Sequence, residues 1–158
     1  MELHEVYNSA ILPAYTLLPS GMASERATQM LLAIGLQESR FRHRRQIGGP
    51  ARGFWQFERG GGVAGVLRFD GTLYTSRAVC SARGVKPTAA AVHAALEHDD
   101  VLAAAFARLL LWTDPAPLPA LGSEGDAWAY YIRNWRPGKP HLGTWHGCYM
   151  TALNFVDA

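Results

Sequence analysis

Charged residues, long apolar runs and cysteines are all scarce in this 158-residue chain. Only 18% of the residues are charged, and a net charge of +2 lacks the strong, clustered basic excess of a typical duplex-binding module. No run of about 18 apolar residues is present, which excludes a simple membrane-spanning helix. Cys80 and Cys148 are too few for a disulfide framework. We expect both thiols to be buried or partly buried, and the chain to be made in a reducing cytoplasm. A single disulfide bridge between the two cysteines is the open alternative.

Several signals for targeting and for cofactor chemistry are also missing. Residues 1–5 contain no basic segment leading into an apolar stretch, so no secretion signal is expected. His93 and His98 are five residues apart, as are His141 and His146, and this spacing does not bring two imidazoles to one helix face. Neither a phosphate-binding glycine loop nor a nucleophile elbow is present. We therefore expect no metal and no cofactor.

The residues that are abundant favour one mainly α domain over residues 1–158. Apolar residues make up 49% of the chain, 24 residues are alanine, and strict apolar–polar alternation is nearly absent. Capping residues and apolar spacing predict helices over residues 2–18 with a kink at Pro13, 20 or 24 to 40, 63–68, 76–83, 88–97, 101–112, 123–135 and 144–155. A small hairpin at residues 67–75, turning at Asp70-Gly71, is the most β-structure that the pattern allows.

One face of the second predicted helix carries an acid among apolar residues. At spacings of three and four, this face is formed by Ala27, Leu31, Ile34, Glu38 and Phe41. Because Leu31 and Ile34 point inward, Glu38 is directed to the edge of the core, where loss of water raises the pKa of a carboxyl. Such a carboxyl holds a proton near neutral pH, as a general acid must. The alternative is an exposed Glu38 at a fraying helix end, paired with Arg42.

The segments around this acid resemble a known family of enzymes. Glu38-Ser39 is followed fifteen residues later by Gly53-Phe54-Trp55-Gln56, and further on by Asn134-Trp135-Arg136-Pro137-Gly138. This order is similar to that of the soluble, lysozyme-like lytic transglycosylases (the goose-type and SLT kind). There a Glu-Ser helix end precedes a Gly-Leu-Met-Gln segment that lines the sugar cleft, and then a Tyr-Asn-Ala-Gly-Pro-Gly element. Trp145 and Tyr149 stand where aromatic residues follow that element, and the resemblance covers about residues 24–150.

The resemblance implies a single lysozyme-like domain that cleaves peptidoglycan. Its expected reaction breaks the β-1,4 bond between N-acetylmuramic acid and N-acetylglucosamine and leaves a 1,6-anhydro end. Glu38 would act first as acid and then as base. By the same resemblance, Ser39 and Gln56 would orient the acid and the substrate, and Asn134 would contact the sugar.

Two departures from the family pattern leave alternatives open. Phe54 and Trp55 replace Leu-Met, so they are expected either to stack on sugar rings or to be core residues. Arg133 stands where the family's tyrosine would precede the asparagine. Tyr130 or Tyr131 could supply the missing phenol, and the spacing does not choose between them.

A second catalytic carboxylate would make the enzyme a hydrolase, that is, a muramidase. Inverting hydrolysis places a base about 6.5–9.5 Å from the acid, with room for a water molecule. By position the candidates are Glu58, Asp70 and Asp114. None of them has a motif behind it, and each is also explained as a surface or capping acid.

The strongest basic cluster comprises Arg40, Arg42, His43, Arg44 and Arg45. It is expected to be a solvated loop or to contact anionic groups at the cleft lip, such as the carboxylates of peptidoglycan stem peptides. Nucleic acid is the rival partner, but no helix-turn-helix, zinc or RNA-binding signature accompanies the cluster. We therefore expect no nucleic-acid partner.

The expected setting is a bacteriophage infection. Cellular members of the family usually carry an export signal or a lipid anchor, and a bare domain resembles a phage protein instead. It would be made in the host cytoplasm and act on glycan strands in the periplasm or cell wall, without membrane insertion. It would arrive there as an endolysin released through a holin or as a virion component. The alternative from another class is a non-enzymatic virion or assembly protein that keeps the scaffold.

Overall fold

The computed structural model describes residues 1–158 and shows a mainly helical chain without β-strands. The expectation of a mainly α fold is confirmed. The helices are α1 (Leu3–Val6), α2 (Leu12–Thr16), α3 (Glu25–Ser39), α4 (Ala64–Arg68), α5 (Asp70–Ala82), α6 (Ala89–Leu96), α7 (Asp100–Trp112), α8 (Glu124–Trp135) and α9 (Leu142–Asp157). Shorter π turns cover Tyr7–Ile11 and Arg59–Val63, and a 3₁₀ turn covers Ser20–Met22.

Two of the helix starts form where the capping residues predict them, and a third, that of α7, lies one residue before its predicted start. Ser24 precedes α3 and its hydroxyl accepts the N–H of Ala27 at 3.0 Å. Thr88 caps α6 in the same way, and Asp99 caps α7 by accepting the N–H of Leu102 at 3.0 Å. Each side chain satisfies one of the backbone donors that a helix start leaves free, which explains why these boundaries are readable from sequence.

The other two caps differ from the prediction. Ser123 precedes α8 as expected, but its hydroxyl bonds to no backbone N–H. Helix α9 begins two residues earlier than predicted, so Thr144 lies inside its first turn. The Thr144 hydroxyl instead bonds with Oε1 of Gln37 at 2.9 Å, which ties α9 to α3. A tertiary contact has taken the place of the predicted local one.

The first predicted helix is interrupted near Pro13 as expected. The π turn Tyr7–Ile11 joins α1 to α2, and Pro13 lies in the first turn of α2. Proline has no N–H to donate to the preceding turn. A widened π turn just before it accommodates the missing bond without ending the helical path.

The predicted hairpin at residues 67–75 is wrong. This segment contains the end of α4 and the start of α5, with Asp70 in the first turn, where a negative charge favours a helix. The Thr72 hydroxyl donates to the carbonyl of Val66 at 2.6 Å and joins the two helices at a buried corner. The β-bridges that do form lie elsewhere, between Arg45 and Arg52 and between Arg52 and Phe57.

The core is built around α7 and the α3–α9 pair. Every residue of α7 from Leu102 to Leu111 is buried. Helices α3 and α9 run antiparallel, because Gln37 near the end of α3 donates to the carbonyl of His141 at 2.9 Å, while Gln29 lies against Tyr149 further along α9. None of the helices combines the length and the apolar character needed to cross a membrane. This packing holds the last turn of α3 at the surface end of the core.

Candidate active site

Glu38 occupies the last turn of α3 and is half-buried. Burial raises the pKa of this carboxyl to about 7; the hydrogen bond from Tyr131 opposes the rise, and the negative charge of Glu58 adds to it. The predicted desolvation is therefore confirmed. The alternative pairing with Arg42 does not form, since Glu38 makes no ion pair. The result is an acid that is partly protonated at neutral pH.

The two carboxyl oxygens of Glu38 have different surroundings. The Tyr131 hydroxyl donates a hydrogen bond of 2.7 Å to Oε1. Burial and the neighbouring Glu38 charge raise the pKa of Tyr131 well above its usual range, so it stays a phenol and a donor. Oε2 makes no hydrogen bond within the protein and is not fully enclosed. Because Oε1 accepts the Tyr131 hydrogen, Oε2 is the oxygen left to carry the acidic proton.

An aromatic cluster surrounds Tyr131 on the inner side of the site. Tyr131 stacks on Trp145 with 5.2 Å between ring centroids and 3° between ring planes. Trp128 and Trp135 flank the same ring at 5.6 and 6.3 Å, and Phe57 packs on Trp135. The phenol is thereby held in one orientation. Trp128 and Trp135 are only half-buried, so they are the indoles of this cluster with surface open to solvent.

The loop after α3 folds back under the helix end through Ser39. The Ser39 hydroxyl donates to the carbonyl of Phe54 at 2.6 Å and accepts the N–H of Phe41 at 3.1 Å. Arg40 and Phe41 both have left-handed backbone, with φ of 55° and 54°. The Phe41 ring then lies against Gly35, where an added Cβ would be 2.1 Å from it. Ser39 thus positions the loop, and it does not bond to the Glu38 carboxyl.

Phe54 and Trp55 are core residues, which corrects the expectation that they present their faces to a sugar. Each is only 1% exposed, and both rings meet Phe41 edge-on. The Trp55 indole N–H donates to the carbonyl of Leu31 at 2.8 Å, and the Trp55 carbonyl accepts from the Trp135 indole at 2.9 Å. Burying these large apolar rings is favoured over exposing them to a sugar, and the segment contacts the site residues from the core side.

Neither of the other polar residues expected at the site bonds to the acid. Gln56 is half-buried with a left-handed backbone, and its amide donates to the carbonyl of Gly53 at 2.8 Å, within its own turn. Asn134 donates to Asp114 at 2.8 Å and to the carbonyl of Tyr130, and makes no bond to Glu38. Gln56 is left with a free carbonyl oxygen, whereas the Asn134 amide is engaged.

The structure distinguishes the two tyrosines that spacing leaves equivalent. Tyr130 is buried on a different side of α8, where its hydroxyl donates to the carbonyl of Leu111 at 2.8 Å. Tyr131, the next residue, carries the phenol that reaches Glu38. Successive residues on a helix point about 100° apart, so only one of the two can face α3.

Of the three candidate second carboxylates, Glu58 alone acts on Glu38. Its charge contributes to the raised pKa of Glu38, and it is exposed, directly after Phe57 of the aromatic cluster. Asp114 is partly buried, which opposes its ionisation, but hydrogen bonds from Arg133, the Ala116 N–H and Asn134 prevail and lower its pKa. Asp70 belongs to the first turn of α5. Asp114 therefore has a structural role, whereas Asp70 is exposed and makes no side-chain bond.

Part of the basic cluster is neutralised by acids of neighbouring helices. Arg44 forms two hydrogen bonds to Asp100, at 2.8 and 2.9 Å, and its guanidinium lies 4.3 Å from the centre of the Phe54 ring. Arg45 approaches Glu97 at 3.4 Å. These contacts fasten the loop to α6 and α7. The expectation of a free cationic lip is therefore corrected for Arg44 and Arg45.

Trp128 and Trp135 are the site neighbours that sequence reasoning did not identify as functional. The missed signal is the spacing of Trp128, Tyr131 and Trp135, which lie at i, i+3 and i+7 on α8 and share one face. The same rule identifies the acid on α3. Applied to α8, it groups Tyr131 with the two indoles, but it does not say which face of the helix meets α3.

Other places in the molecule offer less chemistry. A mainly apolar groove lies at the opposite end of α3, where two of its polar groups, Tyr15 and Thr28, bond to each other at 2.8 Å. No three His, Cys, Asp or Glu side chains converge in a way that could hold a metal ion. Cys80 and Cys148 are free and buried, so the alternative of a bridge is not realised. Burial raises the pKa of Cys80 to about 11, which disfavours its thiolate.

The arrangement around Glu38 can deliver a proton outward and accept one back through the same carboxyl. It provides a desolvated acid, a donor that holds one oxygen, and a half-open aromatic surface beside them. Comparisons with protein-family models, curated proteins and solved structures gave no match. The functional conclusion therefore depends on the chemistry of the site and on the order of the sequence motifs.

Proposed function

We propose that the chain is a lysozyme-like lytic transglycosylase that cleaves the β-1,4 bond between N-acetylmuramic acid and N-acetylglucosamine in peptidoglycan. The observation that carries the proposal is the state of Glu38, a half-buried carboxyl whose pKa is raised to about 7 and whose Oε2 makes no hydrogen bond within the protein. A glycosidic oxygen is a poor leaving group unless it is protonated as the bond breaks, so the reaction requires such an acid. The Glu-Ser and Gly-x-x-Gln segments are in contact through Ser39 and Phe54.

In the first step, Oε2 of Glu38 donates its proton to the bridging oxygen of the substrate. The C1–O bond breaks, the bonding electron pair leaves with that oxygen, and positive charge develops on the muramic acid ring. The acetamido carbonyl of the same sugar can stabilise this charge. Tyr131 favours this step, since its hydrogen bond to Oε1 strengthens as Glu38 becomes a carboxylate.

In the second step, the Glu38 carboxylate takes the proton of the sugar's own C6 hydroxyl. The C6 oxygen forms a new bond to C1, which gives the 1,6-anhydro end and returns Glu38 to its acid form. The proton given in the first step is thus replaced in the second. Because the attacking group belongs to the substrate, one carboxyl is sufficient for both steps.

Hydrolysis at the same site is the second candidate, and Glu58 is the observation that favours it. Glu58 is the one other carboxylate whose charge acts on Glu38, and it is exposed. It could take a proton from a water molecule that attacks C1 in place of the C6 hydroxyl. The Glu58→Gln variant separates the two reactions. A transglycosylase keeps most of its activity in this variant, whereas hydrolysis falls by about 10²–10⁴-fold.

The proposal is tested by mass analysis of the products from digested sacculi, with the parent and Glu38→Gln compared. Products with 1,6-anhydro ends identify transglycosylation, and reducing ends identify hydrolysis. Glu38→Gln keeps the shape and the bond from Tyr131 but cannot give a proton, so we expect a loss of at least about 10²-fold. Release of fragments at the parent rate by the folded variant would exclude Glu38 as the acid, whereas a parent protein that releases no fragments would favour the non-enzymatic role.

A further inference from the structure

The loop after α8 passes along the edge of the site and carries two cations. We name residues 136–140 the cationic strap. One end follows Trp135, which packs on Tyr131 and donates to the carbonyl of Trp55 at 2.9 Å. The other end leads to His141, whose carbonyl accepts from Gln37 at 2.9 Å. Gln37 is the residue before Glu38, and Tyr131 bonds to Glu38. Each end of the strap is therefore attached to a residue that neighbours the acid.

The two cations of the strap have no partner within the protein. Arg136 and Lys139 are exposed and take part in no ion pair or side-chain hydrogen bond, whereas Arg44, Arg45 and Arg133 all reach acids. The strap itself contains no acidic residue. Its charges are therefore available to a ligand.

The backbone of the strap limits the conformations through which Arg136 and Lys139 can move. Arg136 ends α8 in a left-handed conformation with φ of 48°, and its N–H donates to the carbonyl of Ile132 at 2.9 Å. Pro137 and Pro140 each fix one further φ angle. Neither cation forms an ion pair or a hydrogen bond with Glu38.

We propose that Arg136 and Lys139 bind a carboxylate of the substrate and thereby select acidic glycans over neutral ones. This inference rests on the proposed function. Two groups of peptidoglycan have the required chemistry: the free carboxylates of the stem peptide, and the lactyl carboxylate of a muramic acid that carries no peptide. In the cluster at residues 40–45, Arg44 and Arg45 are already paired, so only Arg40 and Arg42 keep free charges there.

The test compares the parent with the double variant Arg136→Gln/Lys139→Gln on three substrates. These are native sacculi, sacculi whose carboxylates have been converted to amides, and glycan strands stripped of peptide. The matched control is Arg68→Gln/Arg77→Gln, which removes two exposed and unpaired charges from α4 and α5. The melting temperature of each variant is measured to check that the variant is folded. All rates are measured at low and at physiological ionic strength.

We expect the strap variant to lose about three- to tenfold in kcat/KM on native sacculi at low ionic strength, as befits two exposed ion pairs. The loss should shrink with salt, disappear on amidated sacculi and be absent in the control variant. A loss confined to native sacculi assigns the contact to the peptide, one confined to stripped strands assigns it to the lactyl group, and a loss on both shows that either is accepted.

Two kinds of result would overturn the inference, and only the second would also overturn the proposed function. An equal loss on native and amidated sacculi, or no loss on either carboxylate-bearing substrate, excludes carboxylate selection and leaves the proposed function standing. A parent protein that cleaves none of the three substrates overturns the proposed function together with this inference.

Discussion

The Tyr131 hydroxyl donates a hydrogen bond of 2.7 Å to Oε1 of Glu38, joining residues 93 positions apart. Helix α8 supplies the donor and α3 the acceptor, and the stack of Tyr131 on Trp145 sets the orientation of the phenol. The bond holds one carboxyl oxygen and leaves the other open. It also opposes the effect of burial, so the pKa of Glu38 is raised only as far as about 7.

Tyr131→Phe should shift the upper pH limit of activity upward. The proposed reaction needs protonated Glu38, so kcat/KM of the parent should fall as pH rises through about 7. Removing the phenol removes the hydrogen bond that favours the ionised form, so the pKa of Glu38 rises further. The rate should also fall by about tenfold, because a hydrogen bond to the developing carboxylate is lost. A pH–rate profile unchanged in its upper limit would contradict this role of Tyr131.

Glu38→Gln should make the protein more stable at alkaline pH. The pKa of Glu38 is raised from 4.5 to about 7 on folding, so the folded state binds the proton more tightly than the unfolded state. The stability that this proton contributes is fully present below about pH 4.5 and is lost as pH rises through about 7. At pH 8 this ionisation costs the parent on the order of 3 kcal/mol, which the amide avoids.

Thermal unfolding at pH 4 and pH 8 measures this difference. The melting temperature of Glu38→Gln minus that of the parent should be larger at pH 8 than at pH 4. Glu25→Gln is the matched control, because Glu25 is an exposed acid at the opposite end of α3 and its removal should bring no such gain. Parallel pH dependence in the parent and in Glu38→Gln would show that Glu38 is not desolvated.

Trp55→Ala should lower the free energy of unfolding by about 3–5 kcal/mol, as expected for a buried tryptophan. The ring is 1% exposed, and the substitution also leaves the Leu31 carbonyl without its donor. Denaturant unfolding should show a much smaller loss for Trp112→Ala, whose side chain is 47% exposed. A stable Trp55→Ala variant with a raised KM would instead place the indole in the glycan-binding surface.

Arg44→Gln and Arg42→Gln should differ in stability although they remove the same charge from the same loop. Arg44 makes a two-point contact with Asp100 and covers the Phe54 ring, so its loss should cost about 1 kcal/mol, a modest value because the side chain is partly exposed. Arg42 is exposed and unpaired, so its replacement should change the free energy of unfolding by less than about 0.5 kcal/mol. Equal effects in denaturant unfolding would contradict a structural role for Arg44.

The failed predictions share a cause that is visible at residues 67–75. Asp70-Gly71 fits a hairpin turn, but the same acid also fits the start of a helix. Local sequence does not choose between these outcomes. The buried bond from Thr72 to Val66, together with the absence of any neighbouring strand, makes the helix the stable one.

The sequence by itself determined the features that depend on neighbours within a few positions. The helical content and the caps at Ser24 and Thr88 follow from short-range rules, and the structure agrees with them. Desolvation of Glu38 was readable for the same reason, since Glu38 lies one helical turn after Ile34, which is buried as expected.

Only the tertiary structure decided what meets that acid. Tyr130 and Tyr131 are equivalent in spacing arguments until the packing of α8 determines which of them faces Glu38. Phe54 and Trp55 suit a sugar surface and a core equally well until the loop folds beneath α3. Contacts between residues far apart in the chain arise from burying one shared core, and that burial is a property of the whole chain that no local pattern contains.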